Sequence, residues 1–189
     1  MKNIFEKWKR LINEDNDLLS KLDLDDEFKT YLEKHGIEGA IHNFSFAIPN
    51  RKAIDTIKKY SPIIEIGAGN GYWAKLLAQE GVDIHAYDAY TSSKHFSVQK
   101  GGPKKIKEEP DRTLFLCYPD LDSSMAYNCL VNYQKQLQNG KVLIIIGEPG
   151  LTGDDRFWDG IENLNLNEIH KVELPHFPSY WANLHVYKL

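Results

Sequence analysis

The chain has 189 residues, 42% of them hydrophobic, with 23 Lys and Arg against 27 Asp and Glu for a formal charge of −4. That is enough for one domain with a two-sided core and too little for two full domains. The acidic balance argues against a general nucleic-acid binder, two cysteines are too few for a disulfide framework, and no apolar run approaches the roughly 18 residues of a membrane span.

The N-terminus, Met1 to Arg10, carries neither the apolar core nor the cleavage site of a secretory signal, so a cytoplasmic protein is expected. Ile4, Phe5, Trp8, Leu11 and Ile12, then Leu18, Leu19 and Leu22, then Phe28, Tyr31 and Leu32 fall at helical spacings. They predict a helical cap over residues 1–60, part of the same domain as a core over 61–189. Gly36 and Gly39 break the helical pattern, and Asn43 to Asn50 is apolar and extended in character around Pro49. A helix from about Arg51 to Tyr60 then leads into the first strand.

The densest signal follows, from Ser61 to Asp88. Ile63, Ile64 and Ile66 suit a strand covered on both faces, and Gly67, Gly69 and Gly71 let the chain turn where a side chain would block a ligand. Residues 72 to 80 read as a helix ended by Gly81, with Tyr72 and Trp73 assigned to the core. Val82 to Tyr87 reads as a second strand ending on Asp88, whose carboxylate suits the two hydroxyls of a ribose. A dinucleotide fingerprint would need a small residue at the position of Tyr72, which weakens a pyrophosphate reading.

The pattern Glu65-x-Gly67-x-Gly69-x-Gly71, followed by helix, strand and acid, resembles the first motif of the class I S-adenosylmethionine-dependent methyltransferases. The resemblance implies an α/β three-layer sandwich, Rossmann-like, with a mostly parallel sheet of about seven strands ending in an antiparallel one. It implies S-adenosyl-L-methionine as the cofactor. Glu65 would help hold the methionine ammonium, Gly67, Gly69 and Gly71 would make room for methionine and ribose, and Asp88 would bind the ribose. Ala68 and Cys117 join this cofactor-binding set. Where the family often places an acidic or polar residue against the adenine, this chain has Gln99-Lys-Gly-Gly102, so adenine falls to Gln99 or to backbone groups.

Tyr90 to Asp111 is irregular, with a short third strand expected over Phe96 to Gln99. Lys94, Lys100, Lys104, Lys105 and Lys107 cluster there, but Glu108, Glu109 and Asp111 follow, and a solvated loop is preferred over a polynucleotide track. Arg112 to Cys117 predicts a central strand, Ser123 to Leu137 a helix, and Lys141 to Ile146 another strand. A helix begins near Asp154 or Asp155. Asn167 to Leu174 and Trp181 to Lys188 predict two strands pairing as an antiparallel edge, which gives about five parallel strands and a closing hairpin.

Ligands of open α/β sheets lie beyond the carboxyl ends of the strands. The glycine loop, Cys117-Tyr118-Pro119-Asp120 and Gly147-Glu148-Pro149 converge there. The second of these loosely resembles the Asn/Asp-Pro-Pro-Tyr motif of amino-methylating relatives and departs from it at two of four positions. Tyr118 reads equally as a surface that stacks on substrate and as filler at the sheet edge. Asp120 reads as a general base or, preferably, as the N-cap of the next helix. Glu148 reads as a pocket carboxylate or as a partner for a lysine at the rim. Thr152 and Asp154 are ordinary helix-starting residues, and His42 is preferred as structural. No histidine pair or cysteine spacing suits a metal. A methyltransferase acting on a small-molecule acceptor, ahead of a protein side chain, is therefore expected. A catalytically silent S-adenosylmethionine-binding module is the alternative, and an NAD-dependent oxidoreductase is disfavoured by Tyr72 and by the lack of a helical Tyr-x-x-x-Lys pair.

Overall fold

A computed structural model describes residues 26–90, 93–177 and 180–189. The expected helical positions Ile4 to Leu22 lie outside the described residues. Phe28, Tyr31 and Leu32 fall in the first described helix, α1 (Asp26–Asn43), whose first turn carries Asp26 and Glu27 where the helix dipole favours acid. Gly36 breaks the helical pattern as expected, whereas Gly39 does not. Gly36 takes φ 73° and ψ −175°, which kinks the helix, and the chain resumes its winding through Gly39 to Asn43. The residue without a Cβ absorbs the bend. Asn50 then caps α2 (Arg51–Lys58) by accepting the Ala53 N–H at 2.8 Å.

The strands form where apolar residues can be covered on both faces. They are β1 (Ile63–Ile66), β2 (Ile84–Asp88), β3 (Val98–Lys100), β4 (Thr113–Cys117), β5 (Val142–Gly147), β6 (Asn167–Glu173) and β7 (Asn183–Lys188). Between them run α3 (Tyr72–Gln79), α4 (Lys105–Glu108), α5 (Met125–Gln138) and α6 (Asp155–Asn163). The seven strands form one sheet in the order β3-β2-β1-β4-β5-β7-β6. Neighbouring pairs from β3 to β5 are parallel, and β7 is antiparallel to both β5 and β6.

The last two strands pair with each other and close the sheet as an antiparallel hairpin at its edge, as expected, in an order that the sequence leaves open. β7 is inserted between β5 and β6, so the edge is β6 alone and six strands share one direction. The continuous burial in β7 explains the insertion, because Leu184, His185 and Val186 are all buried and need cover on both faces. The third strand begins at Val98, not Phe96, and a single helical turn, α4, follows it.

Alternate side chains feed two cores, one on each face of the sheet. Ile63, Phe115, Ile144, Ile146, Leu184 and Val186 pack with Phe28 and Leu32 of α1, Ile54 and Ile57 of α2, and Trp73 and Leu77 of α3. Ile64, Ile66, Leu114, Leu116, Leu143 and Ile145 pack with Leu130 and Tyr133 of α5 and with Phe157 and Ile161 of α6. Each fully buried side chain of this size contributes about 1.5–3 kcal/mol of transfer free energy. The architecture is thus a Rossmann-like three-layer sandwich, and it aligns the carboxyl ends of β1, β2, β4 and β5 along one rim.

Candidate functional site

At that rim β1 runs into the glycine loop. Glu65 occupies the strand position that, by alternation, faces α1 and α3 with Ile63, and it is only 1% exposed. Its Oε2 atom is buried without a hydrogen-bond partner. Burial, and secondarily the charge of Asp88, push the Glu65 carboxyl up to about 8. A protonated acid is the low-energy form in such a place, and an incoming cation would reverse that preference.

The loop is held from beneath by β2. The N–H groups of Gly67 and Ala68 both donate to the Tyr87 carbonyl, at 2.8 and 3.0 Å, and the Gly71 N–H donates to the Ala68 carbonyl at 2.9 Å. The Gly69 N–H donates to Asp88 Oδ2 at 2.9 Å, while Asp88 Oδ1 accepts the Tyr90 N–H at 2.8 Å. Asp88 is therefore anchored on both oxygens and keeps a lone pair on each for a further donor. Gly69, at φ 55°, has no atom within 4 Å of where a Cβ would stand.

Over the loop lies a cavity of about 390 Å³, lined among others by Glu65, Gly67, Ala68, Gly69, Asp88 and Tyr118. Its roof is the segment that leaves α1. Asn70 donates to the Asn43 carbonyl at 2.8 Å, His95 Nε2 reaches the same carbonyl at 2.7 Å, and Lys94 bonds the Asn43 side chain. Phe44 stacks on His95 with centroids 5.2 Å from Phe28 and 4.9 Å from His95. The sequence reads the aromatic segment Phe44 to Pro49 as one that could fold over a cofactor; Phe44, Ser45 and Phe46 do line this cavity, and His42, just before them, lies exposed on its wall.

At the end of β4, Cys117 also lines this cavity, its thiol pushed well up by burial, then by the Glu65 carboxylate. Tyr118 follows with φ 50°, a left-handed conformation unusual for a residue with a Cβ. Its ring stacks on Phe46 at 5.2 Å and 12° and lies 6.4 Å from Tyr180. Phe46 and Tyr118, from distant segments, thus wall one side of the cavity, with Tyr180 behind them.

The remaining candidates lie elsewhere. Gly71 is the N-cap of α3, and Gln99 is exposed on β3; neither is among the residues that line the cavity. Asp120 is exposed and does not cap α5, whose N-cap is Ser124; its Oδ1 accepts the Asp122 N–H at 3.1 Å in a local turn. The chain needs four more residues after Asp120 before it enters the helix, so the cap falls later than expected. Thr152 is fully buried and exchanges hydrogen bonds with the Glu148 backbone, which fixes the turn after β5. Asp154 is the N-cap of α6 by position, although its side chain makes no capping bond and instead takes Arg156.

Glu148 does not join the first cavity. It faces a second one, of about 640 Å³, lined by the turn after β5, the end of β6 and the start of β7. There it is bonded by the Asn183 amide, and His185 Nε2 stands 3.4 Å from its Oε1. No lysine pairs with it among the described ion pairs. His185, missed from sequence, is signalled only by a polar residue between the apolar Leu184 and Val186. Among the described residues no His, Cys, Asp and Glu group suits a metal ion, and no helix is long and apolar enough to cross a membrane.

The sequence matches no family model and no curated protein. Solved structures share its fold. One is a SAM dependent methyltransferase from Archaeoglobus fulgidus, with a TM-score of 0.50, 12% identity, and coverage of 87% of this chain and 100% of that one. Another is the tRNA (uracil-54, C5)-methyltransferase of Pyrococcus abyssi in complex with S-adenosyl-L-homocysteine, at TM-score 0.51 and 11% identity. It is matched over 78% of this chain, which spans only 40% of that enzyme. A third is a protein of the NADB-Rossmann superfamily from Streptococcus agalactiae, at TM-score 0.50 and 15% identity, covering 75% of this chain and 69% of that one. The likeness is one of fold alone: the chain shares with these structures a Rossmann-like α/β sandwich.

Proposed function

We propose that the chain is an S-adenosylmethionine-dependent methyltransferase that holds its donor in the glycine-loop cavity and acts on a small-molecule acceptor. The observation that carries this reading is the buried Glu65 carboxyl, whose Oε2 lacks a partner, set beside Asp88 under the loop. A site with two carboxylates suits a ligand with an ammonium and a sulfonium. Glu65 would take the ammonium, Asp88 the ribose hydroxyls, and the open space at Gly69 would admit the nucleoside. When bound, the cofactor supplies a methyl group activated by its positive sulfur. The chain's own task is then to hold, orient and shield.

The same loop speaks against a pyrophosphate. Anion-binding turns aim free N–H groups at the phosphates. Here the N–H groups of Gly67, Ala68, Gly69 and Gly71 are all spent on protein acceptors. An acidic net charge supports a small acceptor over a polynucleotide, and a cytoplasmic location belongs to the same reading. A silent donor-binding module is the second reading, favoured by Tyr118, whose ring is engaged with Phe46 in place of standing free.

Isothermal titration calorimetry with S-adenosylmethionine tests the proposal. Binding is expected for the donor and not for NAD, and absence of donor binding by folded protein would refute it. Asp88→Ala removes an acceptor of charge-assisted hydrogen bonds and is expected to weaken donor binding by about 1.5–3 kcal/mol. Transfer of labelled methyl groups into a cell extract separates the enzyme from the silent module.

A further inference from the structure

The second cavity lies on the same rim as the first. The β4 and β5 turns are tied together, since the Tyr118 N–H donates to the Ile146 carbonyl at 2.8 Å and the Gly153 N–H to the Pro119 carbonyl at 2.9 Å. Phe46 and Tyr118 of the first cavity touch Tyr180, which precedes Trp181 of the second. The two cavities are thus neighbours across an aromatic wall. Trp181 is 59% exposed on the second, with the His176 ring against its edge at 5.8 Å.

One side chain of this cavity is wired to an unusual interior group. His185 is 4% exposed in the middle of β7, yet it has a carboxylate on each ring nitrogen. Nε2 faces Glu148 Oε1 at 3.4 Å, and Nδ1 faces Glu168 Oε2 at 2.5 Å. An imidazole donates to both only when it carries both protons, so the ring can pass a proton from one carboxylate towards the other. Glu168 opens the far end, its side chain 38% exposed. The other groups about the ring do not substitute for it. Tyr187 stacks on it at 5.9 Å, its phenol pushed up to about 12 by burial, then by Glu168 and Glu148, and so stays neutral. Lys171 stands opposite His185 in the β6–β7 register, and Glu173 opposite Asn183, both on the cavity wall.

We infer that the second cavity is the acceptor pocket, that it takes a small molecule whose reacting nitrogen or oxygen bears a proton, and that Glu148 removes this proton with His185 as its positioning residue. The inference rests on the methyltransferase reading. In the step assigned to this chain the acceptor's N–H or O–H bond breaks, the electron pair stays on the heteroatom, and the proton passes to Glu148. His185 and Glu168 carry it on to solvent. The cavity wall offers Trp181 to the body of such a molecule and the Asn183 amide to the orientation of the base. Thioethers and tertiary amines, which have no proton to lose, fall outside the class.

The experiment uses the full chain, labelled donor and a small-molecule extract fractionated into amines, alcohols and phenols, and aprotic acceptors. Label is expected in the amine or the hydroxyl fraction, and these two arms distinguish nitrogen from oxygen; label confined to aprotic acceptors would overturn the inference. Glu148→Gln is expected to lower kcat on the order of a hundredfold with KM nearly unchanged. His185→Gln is expected to change the shape of the pH–rate profile, because an amide in that place can hydrogen-bond Glu148 but cannot pass a proton on towards Glu168. A His185→Gln profile lowered equally at every pH would mark a merely structural residue and sink the positioning role. Donor affinity, measured separately, is expected to stay within twofold in both variants, because neither residue lines the first cavity. If the wild-type protein binds no donor, the methyltransferase reading fails by itself. The cavity is then judged by Trp181 emission, isolated by subtracting a Trp181→Phe variant. A response to the protic fractions that Glu148→Gln abolishes upholds the pocket, and no response to them overturns it.

Discussion

The glycine-loop cavity and the cavity beyond β5 to β7 sit on one rim and are built in opposite ways. The first is floored by consecutive chain, in which strand, turn, helix, strand and acid follow within Ile63 to Asp88, and β2 itself satisfies the loop's N–H groups. The second is assembled from residues near 148, 171 to 176 and 181 to 183, which meet only because β7 inserts between β5 and β6. A local site is fixed by turn chemistry, whereas an assembled one is fixed by strand register. Its chemistry therefore depends on pairing that the whole sheet must enforce.

The largest expected effect comes from breaking the local floor. Gly71 has φ 82°, and a Cβ there would meet the Phe96 Cβ at 2.8 Å and its backbone nitrogen at 3.0 Å. Gly71→Ala is expected to cost about 3 kcal/mol or more, from left-handed strain together with a clash against backbone. Gly69→Ala meets no atom within 4 Å and should cost only the strain of φ 55°, about 1 kcal/mol. Urea denaturation compares the two, and equal losses would show that the loop is not held against the β3 approach.

The same contrast explains what was legible in the sequence. The Glu65 to Asp88 unit could be read because each residue's duty is decided within a few positions: glycines where φ is positive, apolar residues where the strand is covered. The strand order could not, since nothing local in Asn167 to Lys188 says that the last strand passes inside the preceding one. Glu148 was visible as a carboxylate beyond a strand, but its partners Asn183 and His185 lie 35 and 37 residues away. The break at Gly36 is legible in the sequence; that winding resumes after it and runs through Gly39 is not, because it depends on the tertiary contacts of Ala40 and Ile41.

The next effect tests the electrostatics of the first cavity. Burial, then Asp88, raise the Glu65 carboxyl from 4.5 to about 8, so the folded state holds a proton there that the unfolded state releases. That contribution to stability is complete below pH 4.5 and is lost as pH rises to about 8. Glu65→Gln should therefore gain on the wild type between pH 5 and 8 when both are unfolded in urea, and a constant difference would show that Glu65 does not titrate in this range. Donor binding, which favours the ionised acid, should release a proton and strengthen by up to about tenfold per pH unit below the free pKa. Glu65→Gln should abolish both. Calorimetry in buffers of different ionisation enthalpy reads the proton directly.

The smallest effect concerns a part of the first cavity that is not local. Asn70 reaches 27 residues back to the Asn43 carbonyl, and that bond ties the glycine loop to its roof. His95 Nε2 shares the same carbonyl, so Asn70→Ala leaves no buried acceptor unsatisfied and should cost only about 1 kcal/mol. The loss should be spatially confined. Amide exchange is expected to quicken in residues 43–47, which the bond pins, and to stay unchanged in β5 and β7, where backbone ladders hold the strands. Exchange that quickened in both regions would mean that roof and sheet open together, and that the first cavity is as dependent on distant pairing as the second.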